Sequence, residues 1–182
     1  EICDLADFLC KAGACIRGAG TSSIEIDGVY DLHGVEHTVI PDRIIAATYM
    51  AAAAVTGGDL YLQDVEVSHL TPVLDSFQSA GCQLEAGPRH LRITAPARLR
   101  PVGTVRTMAY PGFPTDAQPP ILAMSALADG SSVFVENIFE NRFKYVDELA
   151  RMGAKVKVEG RVAIVEGVQN LSGATVSATD LR

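Results

Sequence analysis

Two short clusters in the middle of the sequence hold residue types that chemistry uses and packing does not require. The first is Phe113-Pro114-Thr115-Asp116, a proline-stiffened turn that leads into a helix. The second is Glu140-Asn141-Arg142-Phe143, a polar group just after a strand. A carboxylate such as Asp116 is a residue type that general acid–base chemistry uses. A guanidinium such as Arg142 can hold a carboxylate or a phosphate through paired hydrogen bonds. In layered α/β proteins a helix mouth and a strand end commonly face one crevice, so the two clusters can face one pocket. Each has a plainer alternative. A helix N-terminal aspartate gains about 0.3–1 kcal/mol from the dipole alone, and a surface arginine in an ion pair contributes little.

The bulk properties narrow the setting. With 48% hydrophobic and 20% charged residues among 182, the chain has ordinary globular composition and enough length for a core. No apolar run approaches the ~18 residues of a membrane span, and the start of the sequence shows no signal-peptide pattern. The net charge of −7 argues against a nucleic-acid surface. Cys3, Cys10, Cys15 and Cys82 form no C-x-x-C pair and have no histidine at metal spacing, so reduced thiols, a cytoplasmic setting, no metal and no cofactor are expected. His33, His37, His69 and His90 show no partner pattern and receive no role.

The elements that position the two clusters come from a repeat. Ile2, Leu5, Phe8 and Leu9 recur at helical spacing over Asp4–Ala12 ahead of Gly13, and strands are expected at Ala14–Arg17 and Ser23–Asp27. In the second strand Ile24 and Ile26 alternate with Glu25 and Asp27, which predicts one buried and one wet face. The pattern returns with Leu70, Val73, Leu74 and Phe77 before Gly81, then strands over Gln83–Glu85 and Leu91–Thr94. It returns again with Val146, Leu149 and Met152 before Gly153, then Val156–Val158 and Val162–Val165. A second half-unit repeats as well. Pro41-Asp42-Arg43 opens an alanine-rich helix followed by strand Asp59–Val65, and Pro114-Thr115-Asp116 opens a helix followed by strand Ser131–Ile138. Ala178-Thr179-Asp180-Leu181-Arg182 looks like a third such opening. The unit is βαβαββ, roughly 70 residues long. The fold class is α/β, with helices enclosed and sheets outside. The run Ile44 to Ala54 is apolar nearly all round, as an enclosed helix should be.

These motifs, together with Phe139-Glu140-Asn141-Arg142-Phe143 and Leu149-Ala150-Arg151-Met152-Gly153-Ala154, resemble the enolpyruvyl transferase family along the whole of Glu1–Arg182. The resemblance implies an inside-out α/β barrel of βαβαββ units, here incomplete. Residues 1–40 would be the closing portion of one domain, and 41–182 most of a second: two repeats plus the start of a third. It implies transfer of the enolpyruvyl group of phosphoenolpyruvate to a hydroxyl with release of phosphate. The FPTD and ENRF wording favours UDP-N-acetylglucosamine, through its 3′-hydroxyl, and thus the first committed step of peptidoglycan synthesis. A relative that acts on 3-phosphoshikimate and a non-catalytic binding module of the same fold are the alternatives.

The resemblance also implies roles. Asp116 and Asp180 would be catalytic carboxylates, with Asp116 on the attacking hydroxyl. Arg142 and Arg182 would face the phosphoenolpyruvate site, and Ile138 would touch the nucleotide sugar through its backbone. Thr115 and Glu140 would line the same site, with Glu140 orienting Arg142. Asp42 and Arg43 are read as structural. The family's cysteine loop and its Lys-Asn pair would lie before Glu1, and a further phosphate-holding arginine after Arg182. The missing remainder of the chain would thus be a partner, and the isolated piece is expected to be inactive. Cys82 aligns with Ala14 and Ala154, which marks it as a structural thiol. Locally, Thr115 and Gln118 predict a capping box. Pro119 conflicts with a helix begun there and fits one that starts later.

Overall fold

Helix α1 (Ile2–Lys11) stops where the sequence supplies Gly13, whose φ of 105° suits a residue without Cβ. It opens the first of two compact units, Glu1–Pro41 and Asp42–Arg182, in a computed structural model that describes residues 1–178. In the first unit, strands β1 (Cys15–Arg17) and β2 (Glu25–Asp27) pair antiparallel, with Ile16 opposite Ile26. The buried face expected here is absent within the unit. No residue of α1 is buried, and Ile24 and Ile26 are exposed. One helix and a two-stranded ribbon are too little chain to enclose a core; below about 40 residues this is the general rule. His37, given no role from sequence, has a partner 33 positions away. Its Nε2 donates to Asp4 Oδ1 at 3.0 Å, and its ring meets Phe8 edge-on.

The second unit holds the core. Asp42 caps helix α2 (Arg43–Val55), accepting from the backbone N–H groups of Ile44 at 2.8 Å and Ile45 at 3.2 Å. This is the structural role expected of it. The order continues with β3 (Asp59–Gln63), α3 (Thr71–Ser79), β4 (Gln83–Gly87), β5 (His90–Thr94) and β6 (Thr104–Arg106). It is completed by α4 (Gln118–Ser125), β7 (Ser131–Val135), α5 (Val146–Arg151), β8 (Lys155–Glu159) and β9 (Val162–Glu166). One sheet has strand order β3-β5-β4, all antiparallel. The other has β6-β7-β9-β8, with β6 parallel to β7. The second repeat is therefore complete as βαβαββ. The first lacks an opening strand, since no strand is described between Gly28 and Pro41. The two sheets stay separate and form no closed barrel.

The alternation of strand residues decides the layers. Leu91 and Ile93 of β5 and Ala163 and Val165 of β9 point into the core, while Arg92 and Glu166 point to solvent. Helices α2 and α4 pack together between these inner faces. Enclosure of α2 is one-sided: Met50 and Ala47 are fully buried, whereas Ile45 and Tyr49 are bare. Helix α4, strands β3 and β5 and the 3-10 turns at Val67–Leu70 and Thr115–Ala117 pack against it. Cys82 is buried, as its repeat position requires, and burial pushes its thiol pKa up, away from the nucleophilic thiolate. Cys3 and Cys10 are exposed free thiols.

Candidate functional site

The Asp116 arm of the site grows from the end of β6. Thr107 still pairs with the β7 backbone, its N–H donating to Val135 O at 3.0 Å. The chain then turns through Pro111 to Phe113, which is buried, and enters a 3-10 turn at Thr115–Ala117. Helix α4 starts only afterwards, at Gln118, with Pro119 in its first turn. A late start lets Pro119 and Pro120 occupy positions whose N–H groups have no intrahelical acceptor. The predicted capping box does not form, because neither helix start has a side-chain cap. The Thr115 and Gln118 side chains are drawn inward instead.

What draws them is Glu136. Ser132 and Phe134 of β7 and Glu136, the residue just after the strand, share the inward face, and all three are buried. Glu136 is only 1% exposed and accepts five hydrogen bonds. Oε1 takes the Thr107 hydroxyl at 2.9 Å and the backbone N–H groups of Ile138 and Phe139 at 2.8 and 3.0 Å. Oε2 takes the Thr115 hydroxyl at 2.9 Å and Gln118 Nε2 at 3.0 Å. All five donors are uncharged. A carboxylate has about four lone-pair sites, so this one is saturated, as a buried charge must be.

The same contacts end the strand. β7 was expected to run to Ile138 and stops at Val135. The N–H groups of Asn137, Ile138 and Phe139 go to side chains, the first to Thr107 Oγ1 at 2.8 Å, and so leave the ladder. The chain then turns at Asn141, whose φ of 55° is left-handed, a conformation asparagine tolerates. This turn delivers Arg142.

Asp116 and Arg142 meet. Arg142 Nη2 donates to Asp116 Oδ1 at 2.8 Å, with side chains 18% and 37% exposed respectively, so the pair is part-exposed to solvent. The Arg142 guanidinium also lies 6.0 Å from the centre of the Phe139 ring. Tyr145, one turn on, donates its hydroxyl to Gln118 Oε1 at 2.8 Å and so ties the second arm to the first. Such a pair can bind a polar ligand from two sides: an anion displaces the carboxylate from the guanidinium, and the freed carboxylate accepts a hydroxyl proton.

The remaining expected residues are placed as follows. Ile138 is exposed, with its N–H turned in to Glu136. Glu140 was expected to orient Arg142; it faces Arg161 at 3.4 Å on the exposed rim, and Asp116 is a carboxylate set against the Arg142 guanidinium. Asp180 and Arg182 lie outside the described residues. Among the described residues no group of three or more His, Cys, Asp or Glu side chains is placed to hold a metal ion, and no helix is long and apolar enough to cross a membrane. Sequence reasoning missed Glu136. Its signal was two-residue alternation: a charged residue on the same face as Phe134.

Comparison with known proteins agrees with this architecture. The family described as EPSP synthase (3-phosphoshikimate 1-carboxyvinyltransferase) matches residues 1–182. A UDP-N-acetylglucosamine 1-carboxyvinyltransferase 2 of Caldanaerobacter subterraneus subsp. tengcongensis is 50% identical over the whole chain, which spans 44% of that protein's length. The UDP-N-acetylglucosamine 1-carboxyvinyltransferase of Desulfofundulus thermocisternus is 52% identical over 98% of this chain and 74% of its own. Among solved structures, the enolpyruvyl transferase NikO of Streptomyces tendae superimposes with a TM-score of 0.77 at 26% identity. That match covers 91% of this chain and 40% of NikO. The fold is therefore that of the enolpyruvyl transferases, and the chain belongs to the EPSP synthase (3-phosphoshikimate 1-carboxyvinyltransferase) family.

Proposed function

We propose that the protein containing this chain transfers the enolpyruvyl group of phosphoenolpyruvate to the 3′-hydroxyl of UDP-N-acetylglucosamine and releases inorganic phosphate. The observation that carries this reading is the Asp116–Arg142 pair, a carboxylate and a guanidinium 2.8 Å apart and part-exposed to solvent. The names of the half-identical relatives supply the acceptor.

In this mechanism Arg142 exchanges its contact with Asp116 for an anionic group of phosphoenolpyruvate. Asp116 then orients the acceptor hydroxyl and takes its proton as oxygen bonds to C2 of the donor, while C3 gains a proton. Elimination removes a proton from C3 and breaks the bond from C2 to the phosphate oxygen, which restores the double bond in the product. Ile138 touches the nucleotide sugar, Asp180 is a second carboxylate at the reacting centre and Arg182 a second cation, with Thr115 and Glu140 beside them. The reaction is placed in the cytoplasm, as the first committed step of peptidoglycan synthesis. The chain spans under half the length of several curated relatives, 44% and 41% for two of them. Much of such a rate comes from positioning across a closed cleft, so the 182-residue chain alone does not turn over.

The family's own description favours one second reading, with 3-phosphoshikimate as the acceptor. Phosphate release by the intact protein, given phosphoenolpyruvate with either acceptor, separates them. Release is expected with UDP-N-acetylglucosamine only. Release with 3-phosphoshikimate only would reassign the acceptor, and release with neither would leave a binding module.

A further inference from the structure

Glu136 touches neither Asp116 nor Arg142 in any hydrogen bond described above, yet it fixes the backbone on both sides of them. Its Oε2 holds Thr115 and Gln118, the residues that flank the Asp116 turn. Its Oε1 holds the N–H groups of Ile138 and Phe139, and the Phe139 ring lies beneath the Arg142 guanidinium. The Tyr145 hydroxyl on Gln118 closes the circuit from the Arg142 segment back to the Asp116 turn. Thr107 anchors the carboxylate from the third side. The two oxygens of one buried side chain thus set the separation of the two arms.

A carboxylate is an expensive way to fill an inward-facing position just after β7. Burying a charge is unfavourable unless every lone pair is satisfied, and a hydrophobic residue there would extend the core formed by Phe134. Only an ionised carboxylate, acceptor at both oxygens, can take donors from both arms at once. We propose that Glu136 is a positioning residue for the transfer reaction, holding the Asp116 turn and the Ile138–Arg142 loop in the register in which Asp116 meets the acceptor hydroxyl. The inference rests on the function proposed above. Its physical basis is that misplacement of a reacting group by about 1 Å costs on the order of 10²-fold in rate.

The test is a double-mutant cycle in the intact protein, read as kcat per folded, ligand-binding site with phosphoenolpyruvate and UDP-N-acetylglucosamine. Glu136→Gln keeps the shape and one acceptor oxygen but turns a donor toward the Thr115 and Gln118 side. Its kcat is expected to fall about 10- to 100-fold, while in an Asp116→Ala background the same change costs less than about 3-fold, because Glu136 acts through Asp116. A merely structural Glu136 gives equal losses in both backgrounds or changes only the folded fraction, and either result overturns the proposal. Should Glu136→Gln fail to fold, Thr115→Val removes one donor from Oε2 at constant volume. It is expected to show the same non-additivity with Asp116→Ala, and an unchanged kcat overturns the proposal. A wild type that turns over beside a full-rate Glu136→Gln sinks this inference alone. A wild type that releases no phosphate sinks the functional reading and this inference with it.

Discussion

Replacing Asp116 with alanine in the intact protein should lower kcat by about 10²- to 10⁴-fold, the range set by a positioned acid or base. Stability should barely move. Asp116 sits in a 3-10 turn without a side-chain cap, and its carboxylate is 37% exposed, so the loss should stay within about 1 kcal/mol. Thermal unfolding alongside steady-state kinetics checks both halves. Asp116→Asn separates the two duties of the residue. The amide still reaches the hydroxyl but accepts a proton poorly, so a large loss in Asn as well as Ala assigns proton acceptance. An asparagine variant that keeps its rate would reduce Asp116 to an orienting contact.

The largest effect on stability is expected from Phe134→Ala. Phe134 is completely buried on β7, opposite Ala163 on β9 and Val105 on β6. Removing its ring leaves a cavity between the sheet and the helices, at a cost of about 3–5 kcal/mol. Domains of this kind have on the order of 5–15 kcal/mol in total, so the variant should be much easier to unfold in urea. The midpoint should drop with little change in slope. Because Phe134 and Glu136 share the inward face, activity per folded molecule should fall as well. A loss under about 1 kcal/mol would mean that β7 is not the centre of this core.

The repeat made most of the architecture legible. Helices α1, α3 and α5 end at Gly13, Gly81 and Gly153, and each is followed by a hairpin, because a positive-φ glycine and a change from helical to two-residue period are local signals. Burial was less legible, since it depends on what packs opposite. Ile24 and Ile26 alternate as buried residues do, yet nothing in the Glu1–Pro41 unit covers them. The apolar helix α2 has a bare stripe at Ile45 and Tyr49 for the same reason.

The site divided along similar lines. Asp116 and Arg142 stood out because their types and neighbouring motifs are unusual, and the structure pairs them. Thr115 and Gln118 have the spacing of a capping box, but a fully buried carboxylate 21 and 18 positions away competes for the same side chains and wins. Local spacing cannot reveal such a competitor. Two-residue alternation with Phe134 could have located Glu136 on the inner face, but not its five donors, which come from three separate segments.

The most direct test of the account is a crystal structure of the intact protein with phosphoenolpyruvate, or an unreactive analogue, and UDP-N-acetylglucosamine bound. It should show the Asp116 carboxylate within about 2.6–3.2 Å of the 3′-hydroxyl and Arg142 moved from Asp116 onto an anionic group of the donor. Ligands bound elsewhere, with the Asp116–Arg142 contact intact, would contradict it.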